Sequence, residues 1–202
     1  MSHQLVFIRT SFTNITALRN AVYSHAGMIE NSFGGHLLGV TYFAEPLYPC
    51  ADNRTGREYA IALLLFPKRE HATCFLQAAG YMEVNFLTEV DIYMVPLLKA
   101  VKLGSCWSTF LITELVEKDN YQYLPSRNKF YNIDDFGGVP VLADTSYVDV
   151  VRTHRRPPAG LRVHQFPDKA GFTEWFKSKG GTEFKEDYRR ISGLNSYLAT
   201  FF

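Results

Sequence analysis

Apolar positions along this chain switch between two spacings, and the switches mark out the elements. Leu5–Thr10 is a β-branched and aromatic run that predicts a buried strand. Ile15, Leu18, Val22, Ala26, Ile29 and Phe33 then recur every three or four positions, the period of an amphipathic helix. Gly34-Gly35 ends that helix, because glycine enters the left-handed cap conformation without steric cost. His36–Phe43 and Tyr59–Phe66 predict two strands joined by a polar turn around Cys50–Gly56. Pro67 suits the first turn of a following helix, where no backbone donor is needed. Ala72, Phe75, Leu76 and Ala79 give that helix its inner stripe. Val90–Leu97 closes the series as a fourth strand.

The second half repeats the order. Thr109–Val116 predicts a strand, and Asn120–Asp135 a helix that starts late or kinks at Pro125. Val139–Val151 and Leu161–Phe166 predict strands. Asp168–Ser192 predicts a helical region broken at Gly180-Gly181, with Phe184, Tyr188 and Ile191 turned inward. Leu194–Phe202 predicts the last strand. Landmarks recur as well: Phe33-Gly34-Gly35 answers Phe136-Gly137-Gly138, and Phe66-Pro67 answers Phe166-Pro167 at an offset of 100. Residues 1–104 and 105–202 therefore read as two consecutive β-α-β-β-α-β repeats, the ferredoxin-like order. Two helices cover one face of such a sheet and leave the other open. Here the strands are apolar on both faces; Ile61–Phe66 has no polar position. The cheapest way to bury the open faces is against each other. The expected fold is thus α+β, two tandem ferredoxin-like repeats packed sheet to sheet as an intramolecular α/β barrel.

That arrangement resembles the dimeric α/β-barrel superfamily. Within it the chain is most similar to a small uncharacterised group with a helix ending in Gly-Gly, then Phe-Pro and, after a spacer, an aromatic pair typified by Trp-Tyr. The second half shows the pattern as Phe166-Pro167, Trp175-Phe176 and Phe184; the first half keeps Phe66-Pro67 but has Phe75-Leu76 at the pair. The resemblance implies one chain supplying both halves of the barrel. It implies a small-molecule-binding protein of unassigned activity, with a cofactor-independent enzyme of oxygenase, isomerase or cyclase type as one form of it. It also leaves open a catalytically inactive structural or interaction protein that keeps the fold.

Composition narrows the partners. Net charge is +1 and evenly spread between the halves, so nothing attracts a polyanion, and neither nucleic acid nor an anionic membrane is expected. Tandem RNA-recognition modules share the element order, but Arg57–Ala62 lacks the glycine and second aromatic of their stacking strand, and Leu161–Phe166 misses the pattern altogether. Cys50, Cys74 and Cys106 form no disulfide framework and no Cys-x-x-Cys site. No apolar run is long enough to span a bilayer, and the opening residues do not read as a signal peptide. A cytoplasmic monomer or weak homodimer is expected, without metal or cofactor, since none of the six histidines has metal-ligand spacing.

The expected ligand is small and hydrophobic or aromatic, bound between the sheets. Asp91-Ile92-Tyr93 and Asn195-Ser196-Tyr197 match at an offset of 104, which sets Asp91 and Tyr93, and likewise Asn195 and Tyr197, on one strand face. Arg9, in phase with Leu5 and Phe7, is placed to meet an anionic ligand or to pair with Asp91; its repeat partner reads as Thr113. His164, between Val163 and Gln165, is a candidate general base. Its counterpart in the first half is Leu64, so an apolar residue suits the same position. Arg152, His154, Arg155, Arg156 and Arg162 make one dense basic turn, most simply a solvated loop stiffened by Pro157-Pro158.

Overall fold

Each of the two sheets is completed by a strand from the opposite half of the chain. The computed structural model describes residues 3–41, 44–47, 59–79, 89–104, 106–154 and 157–201. In the first half, β1 (Gln4–Ser11), α1 (Ile15–Ser24), α2 (Ala26–Phe33), β2 (His36–Thr41), β3 (Ala44–Pro46), β4 (Tyr59–Phe66), α3 (Arg69–Ala78) and β5 (Val90–Pro96) follow one another. In the second half come β6 (Thr109–Leu115), β7 (Val139–Thr145), β8 (Asp149–Arg152), β9 (Gly160–Phe166), α4 (Lys169–Lys177), α5 (Lys179–Arg189) and β10 (Leu194–Thr200). The strand orders are β2-β4-β1-β5-β8 and β3-β10-β6-β9-β7, antiparallel throughout. Four strands of each sheet have the ferredoxin-like order. The fifth is exchanged: β3 pairs with β10 and β8 with β5.

Packing follows from two-faced strands. Leu5, Phe7, Ile61, Leu63, Tyr93 and Val95 of one sheet meet Phe110, Ile112, Leu161, Val163, Tyr197 and Ala199 of the other in a single apolar layer. The opposite faces take the helices: Val6, Ile8, Leu64 and Phe66 under α1–α3, and Leu111, Phe166 and Leu198 under α4 and α5. The sheets face each other without closing into one continuous barrel. An isolated bridge, Leu97 to Ala143, links them beyond the exchanged strands.

Several local expectations change. The first helix is broken at His25, whose Nδ1 lies 2.7 Å from the Ala21 carbonyl. Pro67 precedes α3 by two residues, with Lys68 as the N-cap. No α-helix forms over 120–135. Short 3-10 turns at Lys118–Tyr123 and Asp134–Phe136 flank irregular chain in which Tyr131 and Asn132 take positive φ. Pro125 removes a helical donor and the Asn/Asp content favours turns, which together overrule the apolar spacing. Val139–Val151 is two strands in two different sheets. The turn around Cys50–Gly56, together with Tyr42, Phe43, Arg155 and Arg156, lies outside the described residues.

Gly34 holds the left-handed conformation expected of it, at φ 61°, and Gly137 holds it too, at 74°. Gly180 and Gly181 act otherwise. The helical break falls at Ser178, which caps α5 through its Oγ, and both glycines sit inside the first turn. A Cβ on Gly180 would lie 2.0 Å from the Tyr131 carbonyl oxygen, and one on Gly181 2.3 Å from that of Trp175. Close packing of α5 is their role. Gly180→Ala is therefore expected to destabilise the protein by about 2 kcal/mol or more in urea unfolding, the scale of an overpacked core. An unchanged midpoint would contradict this packing.

Candidate functional site

One end of the apolar inter-sheet layer is polar. Arg9 stands on β1 in phase with Leu5 and Phe7, and Asp91 is its register partner on β5. The Arg9 Nε and Nη2 donate to Asp91 Oδ2 at 3.2 and 3.0 Å. From the other sheet, Glu114 on β6 accepts Arg9 Nη1 at 2.8 Å on Oε1 and 2.6 Å on Oε2. Tyr93 and Tyr197 donate their hydroxyls to Glu114 Oε1 at 2.7 and 2.5 Å. Asp91 Oδ1 takes the Thr153 hydroxyl at 3.1 Å and the His154 backbone N–H at 2.9 Å, tying the end of exchanged strand β8 into the cluster. The guanidinium lies over the Tyr59 ring at 4.9 Å, and Tyr93 stacks on Phe7 with centroids 4.9 Å apart.

Arg9, Asp91, Tyr93, Glu114 and Tyr197 are all nearly inaccessible to solvent. Burial alone would lower the Arg9 pKa, but Glu114, with further help from the tyrosines and Asp91, holds it well above its ordinary value. Burial, and then the Glu114 charge, pushes the Tyr93 and Tyr197 phenols well above theirs, so both stay protonated donors. The arrangement is a carboxylate receiving four donor contacts in a dry layer. It can accept a hydrogen bond from a hydroxyl that replaces one of the tyrosines, and it can orient a polar group against aromatic walls.

The structure brings Arg9, Asp91, Tyr93 and Tyr197 together. Asn195 lies on the same inner face, opposite Glu114 in the β10–β6 register, and its buried Oδ1 has no partner among the described residues. His164 is elsewhere. It projects to the helix side of its sheet, where its Nδ1 accepts the Val141 N–H at 3.0 Å and its ring meets Phe184 edge-on. Glu114 was missed. Matching Arg9 to Thr113 is off by one: Thr113 faces the helices and meets the Ser196 hydroxyl at 3.2 Å, whereas Glu114, 105 residues from Arg9, shares the inner face. The signal was in the alternation itself, since Phe110, Ile112, Glu114 follows the same phase as Leu5, Phe7, Arg9. In the basic turn, Arg162 is buried on the helix side against Asp144 rather than solvated.

No protein-family model matches this chain, and no curated protein matches its sequence. Solved structures match its shape. A candidate monooxygenase from Fusobacterium nucleatum superposes at a TM-score of 0.56 with 11% identity over 100% of this chain and 93% of its own. A candidate monooxygenase from Lactobacillus acidophilus gives 0.50 with 10% identity, over 99% and 97%. An anthrone oxidase-like protein gives 0.51 with 8% identity, over 99% and 92%. At such identities the likeness is one of fold alone. Among the described residues no cluster of three or more metal-ligating side chains occurs, and no helix is long and apolar enough to cross a membrane.

Two measurements check this geometry. Glu114→Ala leaves Arg9 with Asp91 alone, removes the acceptor of Arg9 Nη1 and of the Tyr93 and Tyr197 hydroxyls, and is expected to cost about 3–5 kcal/mol of unfolding free energy; a loss below about 1 kcal/mol would mean the cluster is not buried as described. His164 is depressed to about 3, first by burial and then by the charges of Arg162 and Lys99. A histidine depressed in the folded state gives stability that is complete above about pH 6.5 and lost as pH falls toward its folded value, because the unfolded chain binds the proton first. Wild type should therefore lose stability between about pH 6.5 and 3 faster than His164→Leu, by up to about 1.4 kcal/mol per pH unit. Parallel curves would refute the buried neutral imidazole.

Proposed function

We propose that this chain binds a small hydrophobic or aromatic molecule between its sheets, its polar end at the Arg9–Glu114 cluster. Residues 1–104 and 105–202 are two repeats of a tandem duplication, and the chain acts as a cytoplasmic monomer or weak homodimer. The observation behind this reading is that five polar side chains from both halves converge at one end of an otherwise apolar layer. Natural interiors seldom hold so many charges without a task for them. Tyr93, Tyr197 and the unpartnered Asn195 Oδ1 are the groups that would orient the ligand, and Glu114 would take its proton. Arg9 and Asp91 would hold Glu114 and strand β8 in place. Chemistry of this type needs no cofactor. The names of the fold neighbours make oxidation of a small aromatic the first activity to assay.

A second reading has its own support. Arg9, Asp91 and Glu114 satisfy one another and the two tyrosines, so the cluster also serves as a lock between sheets in a protein with no ligand.

Native mass spectrometry of the purified protein, followed by thermal-shift screening of one- and two-ring hydroxylated aromatics, separates the two. Ligand binding predicts a retained mass or a concentration-dependent rise in Tm, weakened about tenfold or more by Tyr197→Phe, the effect of losing one oriented hydrogen bond. Absence of any retained mass or shift, with Tyr197→Phe changing stability alone, would leave the lock.

A further inference from the structure

On the helix side of the second sheet a polar row crosses four strands in register: Ser196 on β10, Thr113 on β6, Arg162 on β9 and Asp144 on β7. All four are buried. The corresponding row of the first sheet is Ile92, Ile8, Ala62 and Val40, wholly apolar. The two halves differ most sharply here, far from the cluster between the sheets.

Nearly every group in the row is matched. Asp144 accepts Arg162 Nη2 at 3.0 Å, Arg127 Nε at 2.7 Å and the Tyr121 hydroxyl at 3.0 Å. Arg162 Nη1 donates to the Pro125 carbonyl at 2.9 Å and to the Tyr188 oxygen at 3.1 Å. Two groups remain. Arg162 Nε–H has no acceptor among the described residues. Two positions along the same face of β9, His164 accepts Val141 N–H at Nδ1, which leaves its proton on Nε2, and that atom also lacks a partner. Arg162 is 3% exposed and His164 0%. Buried unpaired donors are rare in native proteins and point to a bound water or ion.

The chemistry of the missing group follows from its hosts. Both orphans in this layer are donors, so their partner must accept. A water would bring two protons of its own and need further acceptors, whereas a halide needs only donors. Charge favours an anion too: Arg162 and the half-exposed Arg127 share the single Asp144 carboxylate. The charges that act on His164 are those of Arg162 and Lys99, both positive. The Phe184–Tyr188 stack, with centroids 4.0 Å apart, and the edge-on contact of Phe184 with His164 pack aromatic rings beside these groups, which favours a small ion over a larger ligand. A cleft of about 450 Å³ bordered by Tyr123, Pro125, Ser126, Lys129, Asp187 and Arg190 reaches Pro125 from outside.

We propose that a single halide-sized anion, chloride under ordinary conditions, binds in the helix-side layer of the second half between Arg162 Nε–H and His164 Nε2–H. It completes the hydrogen bonding of the polar row and fastens the irregular 118–136 segment, through Arg162 and Pro125, to the sheet. Crystals of the full chain grown in sodium bromide test it by anomalous diffraction. The expected result is a bromide peak within hydrogen-bond reach of both nitrogens, with a Tm several degrees higher in sodium chloride or bromide than in sodium gluconate at equal ionic strength. His164→Leu should lose both the peak and the halide-dependent part of Tm. An ordered water without anomalous signal, or no density there, with Tm equal in the three salts, would overturn the proposal. These readouts do not depend on any ligand between the sheets.

Discussion

A β-sheet whose strands are apolar on both faces cannot stand with one face in water, and this chain carries two such sheets. Helices cover only one side of each. Burying Leu5, Phe7, Ile61 and Leu63 against Phe110, Ile112, Leu161 and Val163 satisfies both remaining faces at once. Everything else is arranged around that contact. The exchanged strands β3 and β8 each lend an edge to the opposite sheet, which both seals edge hydrogen-bonding groups and ties the halves together.

The same contact explains where chemistry can reside. Charged groups enter the inter-sheet layer only in combinations that neutralise and hydrogen-bond one another, because an isolated charge there would be too costly. Arg9 on one sheet is therefore met by Glu114 on the other, and each carboxylate is filled with donors. The two halves differ in what surrounds that shared frame. In the first, the helix-side row is aliphatic and lies under true helices. In the second, a buried polar row lies under turns and irregular chain that bring Pro125, Arg127 and Tyr121 down to meet it.

Much of the fold was legible because the two spacings of apolar residues are so clean. Most strands of both halves, the left-handed Gly34 and the burial of both sheet faces follow from pattern alone. What escaped is what tertiary context decides. The apolar positions within 120–135 suggested a helix, but Pro125 and a concentration of Asn and Asp allowed the chain to be held instead by Arg162 and Asp144, which no local reading sees. The split of 139–151 between sheets depends on a partner strand 55 or more residues away. In the cluster, alternation placed Arg9, Asp91, Tyr93 and Tyr197 on inner faces, yet a one-residue slip in matching the two halves hid Glu114. Strand periodicity makes such a slip decisive, since it turns every side chain to the other face. His164 shows the converse: its neighbours Val163 and Gln165 occupy the inner face, which leaves the histidine to the helices.

Native-state hydrogen exchange read by NMR tests the mutual burial most directly. If the two sheets shield each other, slowly exchanging amides of β1, such as Phe7, and of β6, such as Ile112, open together with the same free energy, that of global unfolding. Opening of either sheet several kcal/mol below the other, as an independent unit, would contradict the account.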